Sequence, residues 1–202
     1  MGEPARLSLK VRHYEVDAYG HVNHANYVHY LEVGRIEALE AVGLSLAELR
    51  RAGHVIVATD LFVKYHSPAH PAETLDVVTC VREIRGARSV WVQEIRETSS
   101  QRLVLTAQVT GAFTTENGRP VRASAAMREK LAKLLVPAAA LPPSAVEVSR
   151  VDALIQAAFG RHAGHQHGPV ESSTARPWCI CRGGGLAKPV KEATKSIRRS
   201  PR

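Results

Sequence analysis

One long segment with helical periodicity constrains the fold more than any other feature of the sequence. Between His24 and Val42 apolar residues recur every three or four positions, so they form one stripe along a helix. The stripe consists of Tyr27, Leu31, Gly34, Ala38 and Val42. Gly43 follows directly and predicts the end of the helix. Because a helix with one apolar face must pack that face against another surface, the rest of the domain has to supply one.

Strand patterns supply that surface. Four of them span about residues 55–66, 74–85, 89–99 and 102–115, and a short first strand covers 6–13. Residues 86–88 and 99–101 predict hairpin turns, which join antiparallel strands. Residues 45–51 predict a second, short helix opened by a capping box of Ser45 and Glu48. The expected architecture is α+β, with an antiparallel sheet of about five strands wrapped around one long helix.

Two positions on the long helix carry further expectations. Gly34 lies in its middle, where glycine costs about 1 kcal/mol relative to alanine, so we expect a strand to pass close to the helix there. Glu32 and Arg35 are three residues apart, a spacing that favours an ion pair along the helix.

A polar loop precedes the helix and carries a carboxylate. Asp17 lies in this loop, Gly20 follows it, and Asn23 is a good N-cap residue for the helix. Free N–H groups at a helix start can hold a carbonyl oxygen that becomes an oxyanion, while a nearby carboxylate acts on the same carbonyl as base or nucleophile. The arrangement predicts an acyl-transfer site. An Asx-turn in which Asp17 has only a structural role is the alternative.

The loop and helix also show a family resemblance. The motif is Tyr14-x-x-Asp17-x-x-Gly20-His21-Val22-Asn23-His24-Ala25-Asn26-Tyr27, continued by Tyr30-Leu31-Glu32 and Arg35. It resembles the active-site signature of the 4-hydroxybenzoyl-CoA thioesterase family, whose members are acyl-CoA thioesterases with a hot-dog fold. Further matches follow in order at Tyr65-His66-Ser67-Pro68-Ala69, Leu75-Asp76-Val77, Arg88-Ser89-Val90 and Gly118-Arg119-Pro120. The resemblance covers about residues 6–135 and implies a hot-dog fold.

The resemblance implies hydrolysis of an acyl-CoA to a free acid and coenzyme A. It assigns Asp17 as base or nucleophile, and His24 as the residue whose backbone N–H polarises the thioester carbonyl. The expected substrate-binding residues are Tyr14, Asn26, Tyr27, Lys64, Tyr65, Arg88 and Ser89. Among these, Lys64 and Arg88 are cations that can meet the phosphates of coenzyme A, although a solvated sheet rim explains them equally well.

Two other functions remain open at this stage. Hot-dog enoyl-CoA hydratases pair an aspartate with a nearby histidine, and the spacing from Asp17 to His21 keeps this activity as an alternative. The second alternative function is that of a non-catalytic module that binds acyl-CoA. An intact Asp17 motif favours hydrolysis, because a binding protein has no need for a carboxylate facing the carbonyl.

Charge and composition divide the chain into two parts. The net charge of +8 lies mainly in residues 137–202, where 10 Lys and Arg face 4 Asp and Glu, whereas residues 1–136 hold 17 against 15. The second part is rich in Pro and Gly and poor in large apolar residues, which predicts disorder. We therefore expect a thioesterase domain at 1–136 and a basic, disordered tail at 137–202, with no nucleic-acid partner.

The remaining expectations concern compartment, ligands and assembly. The chain lacks a signal-peptide pattern and any run of about eighteen apolar residues, so we expect a cytoplasmic protein that does not associate with a membrane. His162, His165 and His167 precede Cys179-x-Cys181, but a zinc site needs a longer cysteine spacing, so we expect no metal and no cofactor. A lone sheet exposes an edge, which predicts a homodimer that can pair into a tetramer.

Overall fold

The described part of the chain forms the elements that the sequence predicts, with small changes in their bounds. The structure, a computed structural model, describes residues 2–137. The strands are β1 (Ala5–Lys10), β2 (Val55–Tyr65), β3 (Thr74–Arg85), β4 (Arg88–Glu97) and β5 (Leu103–Thr114), and the helices are α1 (His24–Ala41), α2 (Leu46–Arg51) and α3 (Ala125–Ala132). The predicted disordered tail and the His and Cys cluster in it lie outside the described residues.

The five strands form one antiparallel sheet in the order β1-β3-β4-β5-β2. Hairpins join β3 to β4 and β4 to β5, as the turn patterns predict. The strands β2 and β3 are consecutive in sequence but are not neighbours, because β2 pairs with β5 on the far side. The sheet therefore has two edges, β1 and β2.

Helix α1 packs its predicted stripe against the sheet. All five stripe residues are buried, and Leu31 and Ala38 have no exposed surface. The helix begins at His24 because the Asn23 side chain accepts a hydrogen bond from the Ala25 N–H at 3.0 Å. It ends before Gly43, which adopts a φ of +73°. The expected α+β arrangement of a sheet around one helix is confirmed.

Helix α1 lies close to the sheet at Gly34, as the sequence predicts. A Cβ atom on Gly34 would lie 2.6 Å from Val77 Cγ1 and 3.1 Å from Thr79 Oγ1. Beside this contact, Gln93 Nε2 donates hydrogen bonds to the Leu31 carbonyl and to Thr79 Oγ1, both at 2.9 Å. The glycine is therefore required by lack of space, and the neighbouring polar groups in the core are paired.

Two local expectations are corrected. Arg35 Nη1 donates to Gln93 Oε1 at 2.8 Å, so the guanidinium is held at β4 and forms no salt bridge within 4.0 Å with Glu32 in the described residues. Burial lowers the pKa of Arg35, although the charge of Glu32 still acts on Arg35 and favours its protonated form. The first strand ends at Lys10 and not at residue 13, because residues His13–Glu15 form a 3₁₀ turn. The second helix and its Ser45–Glu48 capping box form as predicted.

The contact at Gly34 yields a test of the packing. Helix propensity alone would make Gly34→Ala stabilising by about 1 kcal/mol. We expect the opposite, a decrease in the free energy of unfolding of roughly 1 kcal/mol or more, because the new methyl group overlaps Val77 Cγ1. Urea unfolding measures this, with Glu37→Ala at an exposed position of the same helix as control. A stabilised Gly34→Ala variant would show that α1 and β3 are not in close contact.

Candidate active site

Asp17 lies in a short hairpin loop that backbone pairing closes. Val16 and Val22 form an antiparallel bridge, and the Asp17 N–H donates to the His21 carbonyl at 2.8 Å. Asp17 Oδ1 accepts hydrogen bonds from the N–H groups of Tyr19 at 2.8 Å and His21 at 3.4 Å. The Asx-turn interpretation is therefore geometrically correct. It leaves Oδ2 without a hydrogen-bond partner among residues 2–137, so the turn orients the carboxylate and keeps one oxygen available.

The first turn of α1 contains a backbone N–H group that has no hydrogen-bond acceptor in the described chain. The Asn23 side chain occupies the Ala25 N–H at 3.0 Å, and the Asn23 carbonyl accepts from the Asn26 N–H at 2.9 Å. The His24 N–H has no acceptor in the described chain. The carbonyl of His24 accepts a hydrogen bond from the Tyr65 hydroxyl at 3.1 Å, which ties the helix start to the end of β2. A helix N-terminus with a free donor stabilises a developing oxyanion.

Asp17 and His24 line the same cleft. Its volume is about 340 Å³, within the range of small-molecule sites. The other lining residues are His21, Val22, Tyr27, Tyr65, His66, Ser67 and Pro68. The structure thus brings together four of the predicted site residues, Asp17, His24, Tyr27 and Tyr65, and it adds His21, which the sequence connects with the hydratase alternative.

Tyr27 holds the far wall of the cleft in place. Its hydroxyl accepts a hydrogen bond from the Ala69 N–H at 3.0 Å, and its ring packs edge-on against Tyr65 at 5.6 Å between centroids. The Ala69 carbonyl accepts from the Val22 N–H at 2.9 Å. Burial raises the pKa of Tyr27, so its hydroxyl stays neutral at physiological pH. Tyr27 therefore positions the wall, and its ring borders the cleft.

Other predicted substrate residues lie outside the cleft. Tyr14 is exposed and borders a separate groove next to β1. Asn26 Nδ2 donates to the Glu15 carbonyl at 2.8 Å, a role within the loop. Lys64 is exposed on β2 beside Tyr65 but does not line the cleft.

Arg88 and Ser89 lie at the opposite end of the sheet. Tyr65 pairs with Leu105 of β5, and Arg88 pairs with Ala112 of the same strand. Leu105 and Ala112 are seven residues apart, which corresponds to about 23 Å at about 3.3 Å per residue. Ser89 is buried, accepts from Trp91 Nε1 at 3.0 Å and donates to the Gly111 carbonyl at 3.4 Å. The Ser89 hydroxyl is thus hydrogen-bonded within the core of its own chain. Within one chain, neither residue contributes to the cleft around Asp17.

Glu15 anchors the loop and was missed by the sequence analysis. Its carboxylate is buried and accepts hydrogen bonds from the Tyr30 hydroxyl at 2.6 Å and the Arg12 N–H at 2.7 Å. Arg12 Nη1 donates to the other oxygen at 3.2 Å. The Glu15 backbone carbonyl also accepts from the Asn23 N–H at 2.9 Å. Its main side-chain partner is 15 positions away, so no local sequence pattern marks the residue.

The surroundings of Glu15 and Tyr30 shift both pKa values. Burial raises the pKa of Glu15, but the hydrogen bonds from Tyr30 and Arg12 outweigh burial, so the pKa lies below its ordinary value. Burial, followed by the hydrogen bond to Glu15, raises the pKa of Tyr30. The pair is therefore a carboxylate bonded to a neutral phenol, and it joins the loop two residues before Asp17 to the second turn of α1.

Neither a metal-binding cluster nor a membrane-spanning helix occurs in the described residues. Within 2–137, no three His, Cys, Asp or Glu side chains gather in an arrangement that could hold a metal ion. No helix of that region has the length and apolar character needed to span a membrane.

Comparisons with known proteins identify the family of the chain. Residues 11–143 match the Thioesterase-like superfamily. A chloroplastic acyl-acyl carrier protein thioesterase of Arabidopsis thaliana is 31% identical over 135 residues, which cover 67% of this chain and 71% of that relative. The long-chain acyl-CoA thioesterase FadM of Escherichia coli K12 is 27% identical over 105 residues, covering 52% of this chain and 79% of FadM.

The fold also matches solved structures. The 1,4-dihydroxy-2-naphthoyl-CoA thioesterase of Synechocystis superposes with a TM-score of 0.61 at 16% identity, over 65% of this chain and 97% of that one. At this identity the likeness shows the fold alone, which is the predicted hot-dog fold. The narrower 4-hydroxybenzoyl-CoA thioesterase family stays a prediction. The chain belongs to the hot-dog, thioesterase-like superfamily, and it is a thioester hydrolase.

Proposed function

We propose that the enzyme hydrolyses acyl-CoA thioesters to a free acid and coenzyme A, with Asp17 as base or nucleophile. The main support for this proposal is that Asp17 and the N-terminal residue of α1, His24, line the same cleft. One oxygen of the carboxylate is fixed by backbone N–H groups, and His24, whose N–H has no acceptor in the described chain, lines the same cleft. A thioester carbonyl placed between them meets a donor at its oxygen and a carboxylate at its carbon.

The reaction can follow two routes from this geometry. In one, Asp17 Oδ2 takes a proton from water while the water oxygen attacks the carbonyl carbon. In the other, Oδ2 attacks the carbon itself, and water then cleaves the resulting anhydride. In both routes the oxyanion forms against the His24 N–H, the carbon–sulfur bond breaks, and the coenzyme A thiolate takes up a proton. Both routes need the negative charge of Asp17.

Glu15 acts as a positioning residue in this proposal. It contacts neither the cleft nor the reacting atoms, but it bonds to Tyr30 and Arg12 through its carboxylate and to Asn23 through its carbonyl. The start of the Asp17 loop and the N-cap of α1 are thus held by one residue. This connection fixes the carboxylate and the oxyanion donor relative to each other.

We further propose that the working unit is a homodimer formed through β2. This edge strand has unpaired backbone groups on one side, and its Val57 and Leu61 side chains are 40% and 41% exposed. A second copy can pair with it antiparallel. Antiparallel pairing reverses the second sheet, so the Arg88 end of one chain comes beside the Tyr65 end of the other. Arg88 and Lys64 would then supply cations for the phosphates of coenzyme A.

The role of Asp17 is tested by Asp17→Asn, which keeps the shape and the hydrogen bonds of the turn but removes the charge. Turnover of acyl-CoA should fall by a factor of about 100 or more, while binding persists. His24→Ala should have a smaller effect, because its backbone N–H remains. A free-thiol assay on acyl-CoA and acyl-acyl carrier protein substrates measures both. Wild-type turnover in Asp17→Asn, or faster hydration of enoyl-CoA than hydrolysis by the wild type, would refute the proposal.

The dimer is tested by placing a charge on the edge strand. Leu61→Lys should raise the dimer dissociation constant by at least about tenfold, because two like charges come close at the paired edge. Activity should fall in parallel as the enzyme is diluted. The matched control is Val33→Lys, a similarly exposed apolar position on α1. Light scattering and activity are measured over the same concentrations. A fully active monomer would contradict the shared site.

The anchor is tested by Tyr30→Phe, which removes the 2.6 Å hydrogen bond from a buried carboxylate. The free energy of unfolding at pH 7 should fall by about 1–3 kcal/mol, and kcat should fall more than KM changes. The folded pKa of Glu15 is depressed, so its stabilisation exists above the unfolded pKa and is lost as pH falls through the folded value. Without the Tyr30 hydroxyl the folded pKa of Glu15 rises toward the unfolded value, so less stability is lost on acidification and the loss is complete at a higher pH than in the wild type.

Unfolding of wild type and Tyr30→Phe from pH 7 to pH 3 provides the comparison. Tyr19→Phe is the stability control, because the Tyr19 side chain is 84% exposed. Identical pH profiles for wild type and Tyr30→Phe would show that Glu15 does not depend on this bond.

A further inference from the structure

A second, smaller pocket lies between α1 and the face of the sheet that contacts this helix. We call it the distal pocket, because it is separate from the cleft around Asp17. Its volume is about 140 Å³. Trp91 Nε1 donates to Ser89 Oγ at 3.0 Å, so the one polar atom of this indole is already paired. The apolar walls come from α1, β2, β4 and β5, and they include Ile36, Leu39, Ile56, Trp91 and Val109.

Two charged side chains of α1, Glu32 and Arg35, also line the distal pocket. Arg35 Nη1 donates to Gln93 Oε1 at 2.8 Å, and the remaining N–H groups of the guanidinium have no acceptor within residues 2–137. The Glu32 carboxylate accepts no hydrogen bond from any described residue, and it forms no salt bridge with Arg35. The pocket thus carries a cationic donor and an anionic acceptor that are both available to a ligand.

Gln93 holds the Arg35 guanidinium in a fixed position. The Gln93 side chain is fully buried, and its Nε2 donates to the Leu31 carbonyl and to Thr79 Oγ1, both at 2.9 Å. These two bonds orient Oε1 toward Arg35. Because a partly desolvated donor without an acceptor costs free energy, a ligand oxygen that reaches the guanidinium is favoured. The distal pocket is therefore preorganised for an oxygen atom.

The distal pocket lies within reach of an acyl group whose thioester is bound in the cleft. His24 lines the cleft, and Glu32 lines the distal pocket eight positions further along α1. At the helical rise this separation is about 12 Å along the axis. A medium-chain acyl group extends that far from its carbonyl, whereas a short-chain group does not.

Apolar side chains of β2 connect the cleft with the distal pocket. Tyr65 lines the cleft, Ala58 lines the distal pocket, and Leu61 and Val63 lie between them. Leu61 and Val63 pair with buried core residues of β5, and directly paired residues share one face of a sheet. Leu61 is nevertheless 41% exposed, because α1 does not cover this part of the face. An acyl chain along these side chains removes apolar surface from water.

We propose that the distal pocket binds the far end of the acyl group, where Glu32 and Arg35 select a terminal hydroxyl. The substrate class is then a medium- to long-chain ω-hydroxyacyl thioester. This inference rests on the proposed hydrolysis of acyl-CoA at Asp17. A hydroxyl oxygen accepts a hydrogen bond from the guanidinium, and its proton is donated to the carboxylate, so one group satisfies both side chains.

Other acyl ends satisfy the two side chains less well. A methyl end leaves the Arg35 donors and the Glu32 carboxylate without partners in a partly desolvated pocket. A carboxylate end accepts from Arg35 but meets the like charge of Glu32. The pair therefore discriminates among acyl groups of equal length by their terminal group.

Substrate preference of the full-length protein tests this selection. A free-thiol assay gives kcat/KM for butyryl-CoA, decanoyl-CoA, ω-hydroxydecanoyl-CoA and ω-carboxynonanoyl-CoA. The wild type should prefer ω-hydroxydecanoyl-CoA to decanoyl-CoA by at least about tenfold, since the unsubstituted chain leaves polar groups unpaired. Butyryl-CoA does not reach the distal pocket and gives the baseline. Equal kcat/KM for the hydroxylated and unsubstituted chains would overturn the proposal.

Two variants assign the preference to the charged pair. Arg35→Met should lower kcat/KM for ω-hydroxydecanoyl-CoA by at least about tenfold and leave that for butyryl-CoA within about twofold. The matched control is Arg51→Met, at an exposed arginine of α2. Glu32→Gln, at an exposed position that folding does not require, should raise the ratio of ω-carboxynonanoyl-CoA to ω-hydroxydecanoyl-CoA turnover by at least about threefold. Unchanged preferences in either variant would contradict the proposal.

Fluorescence of Trp91 tests binding without relying on turnover. The chain has two tryptophans, so Trp178→Phe leaves Trp91, in the pocket wall, as the only one. In full-length protein that also carries Asp17→Asn, ω-hydroxydecanoyl-CoA should change the Trp91 emission, and butyryl-CoA should not. The same response to both ligands would place the acyl end elsewhere and overturn the proposal. Failure of the wild type to hydrolyse any acyl-CoA would instead refute hydrolysis at Asp17, while Trp91 still reports whether the distal pocket is filled.

Discussion

The close contact between α1 and β3 at Gly34 is the constraint on which the rest of the domain depends. A Cβ atom at this position would lie 2.6 Å from Val77, so the helix axis can approach the sheet this closely only with glycine. The approach lets Gln93 bond to the Leu31 carbonyl and receive the Arg35 guanidinium. With α1 fixed at its middle, the position of its N-terminus relative to the end of β2 is fixed as well.

The site uses that fixed N-terminus. The Tyr65 hydroxyl bonds to the His24 carbonyl, and Tyr27 holds the Ala69 N–H, so the cleft walls are attached to the first turn of the helix. Glu15 completes the frame by bonding to Tyr30. In the proposed mechanism, a preorganised donor and an oriented carboxylate lower the barrier without rearrangement during the reaction. The proposed acyl-transfer chemistry thus depends on how a loop, a helix start and a strand end are held together.

Local patterns made most of the fold predictable. The helix stripe, the Asn23 cap, the Ser45–Glu48 capping box and the hairpins depend on residues within a few positions of each other, and all of them form. Glu15 could not be recognised, because its partners Tyr30 and Asn23 come near it only in the folded chain. The position of β2 at the sheet edge, next to β5, is likewise set by long-range pairing. For the same reason the sequence could not separate Arg88 and Ser89 from the cleft.

In the proposed reaction, one thioester carbonyl meets both Asp17 and the His24 N–H. The most direct measurement is a crystal structure with a non-hydrolysable CoA analogue that keeps the carbonyl and replaces the thioester sulfur by a methylene group. We expect the carbonyl oxygen at about 2.7–3.1 Å from the His24 nitrogen, with Asp17 Oδ2 facing the carbonyl carbon directly or through one water. A carbonyl bound away from the first turn of α1, with Asp17 turned from it, would contradict this mechanism.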